Sequence, residues 1–330
     1  MHTCVVFCLL SVIGSDIFST ALHQRRTYLA IDTLRGGGGE NYGANTLSSN
    51  KENISSSSSA VSRQMYNKQA SNWVRTEPRC LSDFTGRPVV FDMLSSELKS
   101  TITQDNSCKT VLDVGCGEGY CARKVVELGA SKVIGSDISQ EMIKSAIATS
   151  EGDCRFKFYP VPCCDLLKGM NEHREYLGID SAEQSVDVAI AVFLFNYLTT
   201  IEMADAIMQI YKALKPDGVF VFSVPHPSMI FCHDKDAIFR LDSEGKGYYS
   251  SRNEKIFGQI STIDGAKLNI MSVHKTLNDY VQAIHEAGFQ IEDIREVGVT
   301  EEHLETNPDF FKTVQDRPLH LIFKLRKPQQ

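Results

Sequence analysis

The sequence has no apolar run as long as the roughly 18–20 residues that a helix needs to cross a bilayer. We therefore do not expect an integral membrane protein. It also lacks an excess of basic residues: 34 Lys and Arg stand against 41 Asp and Glu, a formal net charge of −7. Because a protein that grips nucleic-acid phosphates favours a basic face, this balance disfavours a nucleic-acid partner. With 42% hydrophobic residues, the composition is that of an ordinary globular protein.

Cysteine pairs with the spacing of a zinc or redox site are missing as well. None of the ten cysteines forms a C-x-x-C pair, and we expect no metal. Eight cysteines follow residue 60, and two of these, Cys163 and Cys164, are adjacent and therefore poorly placed to pair with each other. We expect free, mostly buried thiols in a reducing compartment, which argues mildly against secretion.

Residues 1–60 differ from the rest of the chain. Cys4–Ile13 is an apolar run of ten residues followed by small residues, which is the length of a signal-peptide core. Arg25, Arg26, the glycine run Gly36–Gly39 and the serine run Ser55–Ser59 come next, without apolar periodicity, and predict disorder. A signal-like core before such a stretch resembles the bipartite presequence of algae with secondary plastids, which implies an organellar, plastid destination. Secretion, a cytoplasmic location and a buried N-terminal strand are the alternatives.

Strand and helix patterns alternate from residue 61 onward, which predicts one domain over residues 61–330. The alternation predicts an α/β fold: a doubly wound, Rossmann-like sheet of seven mostly parallel strands, with an antiparallel C-terminal edge hairpin and an N-terminal helical cap. The stretch 226–271 interrupts the alternation, and we predict an inserted lid there. The predicted helices are Val61–Val74, Pro88–Leu98, Tyr120–Leu128, Gln140–Ala148, Ile201–Leu214 and His274–Ala287; the predicted strands are Thr110–Val114, Lys132–Ser136, Arg155–Val161, Val186–Phe193, Val219–Val224, Phe289–Val297 and Leu319–Leu325.

A glycine-rich turn follows the first predicted strand. Val111–Val114 runs into Gly115-Cys116-Gly117-Glu118-Gly119, and a helix pattern begins at Tyr120. Glycines permit a tight turn and let a ligand approach the backbone, and the helix N-terminus offers free N–H groups. A dinucleotide fingerprint has the spacing G-x-G-x-x-G, whereas here Tyr120 occupies the last position. This difference counts against a pyrophosphate and favours a smaller adenosyl ligand.

The run Val111–Gly119 resembles motif I of class I S-adenosylmethionine-dependent methyltransferases, and later segments resemble other motifs of that family in the same order. Val133–Asp137 is similar to the second strand, and Cys164–Leu166 to the acidic segment after the third strand. Leu214–Gly218 is similar to the family's L-K-P-G-G turn, with Asp217 in place of one glycine. The resemblance covers about residues 62–326, points to the type 11-like small-molecule members, and implies S-adenosyl-L-methionine as cofactor.

The resemblance also implies a set of cofactor contacts. Asp137 would hold the two ribose hydroxyls, since a carboxylate accepts two hydrogen bonds at once, or would cap the next helix. Asp113 would lie near the methionine amino group or cap the turn, and Asp165 would face the adenine amino group. Met142 would touch the adenine or pack in the core. The full set is Tyr66, Asp113, Gly115, Cys116, Gly117, Gly119, Asp137, Ile138, Met142, Asp165, Leu166 and Phe193.

Substrate contacts are expected from the N-terminal helices, the strand ends and the lid. Ligands of open α/β sheets bind at the carboxyl ends of the strands, which Asn196, Tyr197 and His226 follow. His226 is the candidate catalytic base, and a substrate hydrogen bond or a loop brace are its alternative roles. His274 would face the pocket or cap the helix. The substrate candidates are Trp73, Arg87, Asn196, Tyr197 and His274.

Together these residues predict a methyltransferase that acts on a small metabolite, with Arg87 or His226 able to bind a substrate carboxylate. The N-P-P-Y type loop of nucleic-acid amino methylation is missing, because Phe195–Leu198 contains no proline. We therefore expect methylation at N or S, of an amine or a thioether, ahead of methylation at O. The alternatives are a non-catalytic cofactor-binding subunit of a protein or RNA methyltransferase and an NAD-dependent oxidoreductase.

Overall fold

A computed structural model of the chain describes residues 63, 64, 67, 77–99 and 108–329. The predicted leader 1–60 lies outside these residues, and so does most of the first predicted helix, Val61–Val74. Two candidate site residues, Tyr66 and Trp73, also fall outside them. Within the described ranges, no helix combines the length and the apolar character that crossing a membrane requires.

The strands of the described residues form two sheets, and the larger one confirms the predicted fold class. Numbered along the chain, the strands of both sheets are β1 (Thr110–Val114), β2 (Lys132–Asp137), β3 (Phe156–Pro160), β4 (Val186–Val192), β5 (Leu214–Pro225), β6 (Phe239–Asp242), β7 (Lys255–Ser261), β8 (Lys267–Val273), β9 (Gln290–Val297) and β10 (His320–Arg326). The seven strands of the larger sheet lie in the order β3-β2-β1-β4-β5-β10-β9. Strand β10 runs antiparallel to β5 and β9, and the remaining pairs are parallel.

Helices cover both faces of the large sheet, which explains why its central strands are apolar throughout. In β1, Val111 packs into the core on one face and Leu112 into the core on the other, and neither side chain is exposed. A parallel strand covered on both faces therefore needs an apolar residue at nearly every position. The covering helices are Arg87–Lys99, Tyr120–Glu127 and Gln140–Thr149 on one face, and Thr200–Ala213 and Leu277–Ala287 on the other.

The predicted lid contains the second sheet, an antiparallel arrangement of β6, β7 and β8 that follows β5 in the chain. The sequence predicts an insertion there but not its strands. The lid contacts the segment that precedes the helix Arg87–Lys99. Cys80 forms an isolated β-bridge with Thr262, and the N–H of Ile263 donates a hydrogen bond of 2.8 Å to the carbonyl of Arg79.

Two predicted boundaries are wrong by three residues or more. Strand β5 begins at Leu214, so the L-K-P-D-G segment is its first part, and Asp217 takes the left-handed conformation (φ 63°) that Asp tolerates better than most residues. The helix predicted from His274 begins at Leu277. Thr276 and Asp279 form a capping box at that start, each accepting a hydrogen bond from the other's backbone N–H.

Candidate functional site

A cavity of about 320 Å³ lies at the carboxyl ends of β1, β2, β4 and β5. The order of the strands reverses beside β1, and ligands of open α/β sheets bind at such a point. Twelve of the predicted site residues line this cavity. They are Arg87, Asp113, Gly115, Cys116, Gly117, Asp137, Ile138, Met142, Asp165, Phe193, Asn196 and Tyr197.

Four other predicted site residues lie elsewhere. Gly119 precedes the helix Tyr120–Glu127 as its N-cap, and Leu166 is fully buried in the core; neither lines the cavity. His226 and His274 line a smaller second cavity. Within residues 77–99 and 108–329, no group of three or more His, Cys, Asp or Glu side chains could hold a metal ion.

The glycine turn after β1 forms one wall of the cavity. Gly115 and Gly117 have φ values of 74° and 54°, in the left-handed region that glycine adopts without strain. A Cβ atom added to Gly115 would lie 2.9 Å from Cδ1 of Leu194, whereas one added to Gly117 would meet no atom within 4 Å. The backbone at Gly117 therefore borders open space, as a cradle for a ligand would.

Asp137, at the end of β2, fixes the conformation of that turn. Its Oδ2 accepts a hydrogen bond of 3.0 Å from the N–H of Gly117, and its Oδ1 accepts one of 2.8 Å from the N–H of Ser139. The N-cap of the next helix is Ser139, whose Oγ accepts from the N–H of Met142, so Asp137 is not that cap. Because a carboxylate oxygen can accept more than one hydrogen bond, Asp137 keeps capacity for a ligand's hydroxyls.

Asp113 is a buried carboxylate with an unused oxygen. Its side chain is 1% exposed, and Oδ2 has no hydrogen-bond partner. Burial and the nearby charge of Asp137 raise the pKa of Asp113 to about 7, against the lowering effect of Arg87. Since a buried carboxylate oxygen without a hydrogen-bond partner is costly, its position here fits a ligand that brings a cationic group.

The described lining of the cavity is rich in acidic residues. One Arg and no Lys line it, against five Asp or Glu. The charge of Arg87 is already balanced, because its Nη1 lies 2.7 Å from Oδ1 of Asp83. The site therefore favours a ligand with net positive charge over an anion. The acidic residues are Asp113, Glu118, Asp137, Asp165 and Glu202.

The sequence predicts that the lid contributes contacts but identifies none of its lining residues, and it does not identify His320 as part of the site. The lid contributes Phe239, Ile260, Ile270 and Met271, which form an apolar wall. His320, the first residue of β10, lies opposite Pro225 and reaches the cavity from the strand that the sequence predicted as an edge element. The order of the sheet, rather than a motif, brings His320 to the site.

A buried lysine ties the lid to the loop after β4. The Nζ of Lys275 donates hydrogen bonds to the carbonyls of Leu198 and Val273, at 2.5 and 2.9 Å. Lys275 is 1% exposed, and burial lowers its pKa to about 7, against the raising effect of Asp279. A neutral amine carries two hydrogens and can serve both carbonyls, so the contact survives deprotonation.

We expect the contribution of Lys275 to the free energy of unfolding to rise with pH. Its pKa is about 7 in the folded protein and near 10.5 when unfolded, so the unfolded chain binds more protons between these values. Unfolding in urea at pH 7 and pH 9 measures this effect. The free energy of unfolding of the wild type minus that of Lys275→Met should increase by about 1 kcal/mol or more between the two pH values. Lys212→Met, at an exposed position, is the matched control; an equal change in both variants would contradict the expectation.

His226 has partners for both ring nitrogens. Nδ1 lies 2.7 Å from Oγ of Ser228, and Nε2 lies 2.7 Å from Oε1 of Glu296 on β9. This arrangement resembles a loop brace more than a free base facing the main cavity. The role of His226 in catalysis stays a prediction to be measured.

We expect His226→Ala to lower the free energy of unfolding by about 1 kcal/mol, because Glu296 is largely exposed and such pairs are weak. Cofactor affinity should not change. His285→Ala, at an exposed histidine, serves as the control. A fall in turnover of about 10²–10⁴-fold with unchanged stability would instead contradict the loop-brace role and favour His226 as a base.

Residues 111–218 match a family described as a methyltransferase domain. This range contains Gly115 and Gly117 of the glycine turn together with Asp113, Asp137 and Asp165, all of which line the cavity. Residues 111–218 therefore carry a methyltransferase domain, which confirms the resemblance seen in the sequence. The domain and its fold indicate S-adenosylmethionine as the cofactor. The open space at Gly117 and the unpartnered oxygen of Asp113 fit that ligand.

Proteins similar to this chain carry different names. An uncharacterized protein of Haemophilus influenzae is 25% identical over 262 residues, which are 78% of this chain and 92% of that protein. The mitochondrial arginine-hydroxylase NDUFAF5 of Rattus norvegicus is 27% identical over 164 residues, 48% of this chain but only 40% of the hydroxylase. The crystal structure of the cyclase SpnF has a TM-score of 0.50 at 17% identity, over 83% of this chain and 97% of the other. That likeness concerns the fold alone.

Proposed function

We propose that the protein transfers the methyl group of S-adenosylmethionine to a small metabolite, at nitrogen or sulfur ahead of oxygen. One observation carries this proposal: the glycine turn and the lid line the same cavity. A cofactor held at the turn would therefore face an acceptor that the lid encloses. An enclosed acceptor site suits a small molecule.

The cofactor half of the cavity is built around three groups of the chain. Asp137 would accept hydrogen bonds from the ribose hydroxyls, and Asp113 would accept one from the ammonium group of the methionine part. The backbone at Gly117 would border the ligand. When bound, S-adenosylmethionine supplies a methyl group that its sulfonium already activates. The chain's own task is then to hold an acceptor in line with that methyl group and to exclude water.

The acceptor half combines apolar walls with few polar groups. Phe239, Ile260 and Ile270 approach from the lid, and Asn196 and His320 from the large sheet. Apolar walls with a small number of fixed polar atoms are typical of small-molecule sites. Arg87 is already paired with Asp83 at 2.7 Å, so an acceptor carboxylate gains less from it than the sequence suggested.

A different reaction is the second candidate. The rat relative is named a hydroxylase and the similar solved structure a cyclase, so a shared fold does not by itself define methyl transfer. A non-catalytic cofactor-binding subunit is a third candidate, but the intact acidic and glycine positions of the cavity favour a working site.

Calorimetry and a transfer assay with the full-length protein test the proposal. We expect micromolar binding of S-adenosylmethionine and S-adenosylhomocysteine, no binding of NAD, and transfer of labelled methyl into a metabolite extract. Binding without transfer would favour the non-catalytic subunit or another reaction. Failure to bind either adenosyl ligand would overturn the proposal.

A further inference from the structure

His320 stands out among the buried polar groups of the main cavity. Its side chain is 5% exposed, and Nδ1 has no hydrogen-bond partner. Native proteins pair the great majority of buried polar atoms, because an unpaired one loses its hydration without compensation. His320 lines the main cavity, so its unpaired nitrogen points to a partner that arrives with the ligand.

The hydrogen bonds around Thr85 fix the tautomer of His320. The hydroxyl of Thr85 lies 2.8 Å from Nε2 of His320 and donates its one proton to the carbonyl of Leu81, at 2.9 Å. Both contacts are hydrogen bonds at once only when Nε2 carries a hydrogen and donates it to Thr85. In the neutral ring, Nδ1 is consequently the bare acceptor.

Close packing holds the ring in place. A Cβ atom added to Gly86 would lie 2.9 Å from Cδ2 of His320 and 2.9 Å from Cζ of Phe193, so this edge of the ring has no free space. The ring of Phe193 meets the imidazole edge-on, with 5.0 Å between the ring centres. Nδ1 lies across the ring from Cδ2 and therefore on the edge away from Gly86.

The ring stays neutral, and a second acceptor accompanies it. Burial and the charge of Arg87 lower the pKa of His320 to about 3. Asn196, which is 5% exposed and lines the same cavity, has an unpartnered Oδ1. The described residues in the half of the cavity that would hold the methyl acceptor thus include two hydrogen-bond acceptors without a donor.

We propose that His320 is a substrate-positioning residue whose Nδ1 accepts a hydrogen bond from an N–H or O–H group of the methyl acceptor. The inference rests on the proposed function, but it changes the ranking of acceptor atoms given there, because it places sulfur behind nitrogen and oxygen. It favours primary and secondary amines and hydroxyl compounds over thioethers and tertiary amines, which have no hydrogen to donate. His320 contributes a hydrogen bond here and no proton transfer is assigned to it.

The test follows the Nδ1 resonance of His320 by NMR in full-length protein labelled with ¹⁵N at histidine, with and without S-adenosylhomocysteine. Phenol and aniline are the donor probes, and anisole and N,N-dimethylaniline are their matched counterparts without a donor. We expect an unprotonated Nδ1 in the free protein, shifted by phenol or aniline and not by the counterparts. The signal is assigned by its loss in His320→Gln.

Two variants complete the test. His320→Gln can still reach Thr85 but has no acceptor at Nδ1, so phenol affinity should fall about tenfold. Thr85→Val removes the group that fixes the tautomer, so both nitrogens should become partly protonated. A protonated Nδ1 in the wild type, equal shifts with phenol and anisole, or unchanged phenol affinity in His320→Gln would overturn the proposal. These readouts need no methyl transfer, so failure of the proposed function is recorded separately by calorimetry and the transfer assay.

Discussion

Replacing Asp113 by Asn is expected to stabilise the ligand-free protein at pH 8 and to abolish most of its affinity for S-adenosylmethionine. Asp113 has a folded-state pKa of about 7 and an ordinary value of 3.8, so the folded protein binds the extra proton between these values. The stability that this group contributes is complete below pH 4 and lost as the pH rises through 7. At 1.36 kcal/mol for each pKa unit, the cost at pH 8 is on the order of 4 kcal/mol.

Thermal unfolding and calorimetry at several pH values measure this effect. The melting temperature of Asp113→Asn should exceed that of the wild type at pH 8, and the two should converge near pH 4. Affinity for S-adenosylmethionine should increase from pH 6 to pH 8 in the wild type and stay flat in the variant. Asp165→Asn, an exposed carboxylate of the same cavity, is the stability control. An Asp113→Asn variant that is less stable than the wild type at pH 8 would contradict the argument.

Asp137→Ala is expected to weaken adenosyl binding by about a hundredfold or more. Two charge-assisted hydrogen bonds to ribose would be lost, each contributing about 1.5–3 kcal/mol. The N–H groups of Gly117 and Ser139 would also lose their acceptor, and the turn would become less ordered. Calorimetric titration with S-adenosylhomocysteine measures the combined loss.

A pair of ligands separates these two contributions. Adenosine carries the ribose hydroxyls, and 2′,3′-dideoxyadenosine lacks them. If Asp137 binds the hydroxyls, the wild type should prefer adenosine strongly and Asp137→Ala should not. Equal weakening of both ligands by the substitution would assign Asp137 to the turn alone and would remove the ribose contact from the site.

The core of the fold could be predicted from the sequence because its constraints are local. Strands covered on both faces are apolar runs, and β1 and the helix Arg87–Lys99 fall close to where these patterns place them. The glycine turn could be predicted for a similar reason, since Gly115 and Gly117 satisfy requirements of their own backbone. The end of β2 with Asp137 follows from the same alternation.

The acceptor half could not be predicted, because distant contacts define it. His320 reaches the cavity because β10 pairs with β5, and no local pattern in the sequence predicts that pairing. Arg87 was expected to bind a substrate carboxylate, but the short helix Leu81–Thr85 places Asp83 beside it. The strands of the lid have mixed polar and apolar faces, which leave a weak pattern in the sequence.

The ring of Phe193 has a consequence for any attempt to broaden the range of acceptors. The backbone of Phe193 has a φ of 57°. The guanidinium carbon of Arg87 lies 5.2 Å from the centre of the ring, and the ring also contacts His320, so this one side chain joins three segments of the chain. Redesign on that side would require compensating changes at several positions at once. Ile260 and Ile270 belong to the separate lid sheet, so the pocket can be enlarged there residue by residue while the cofactor half keeps its shape.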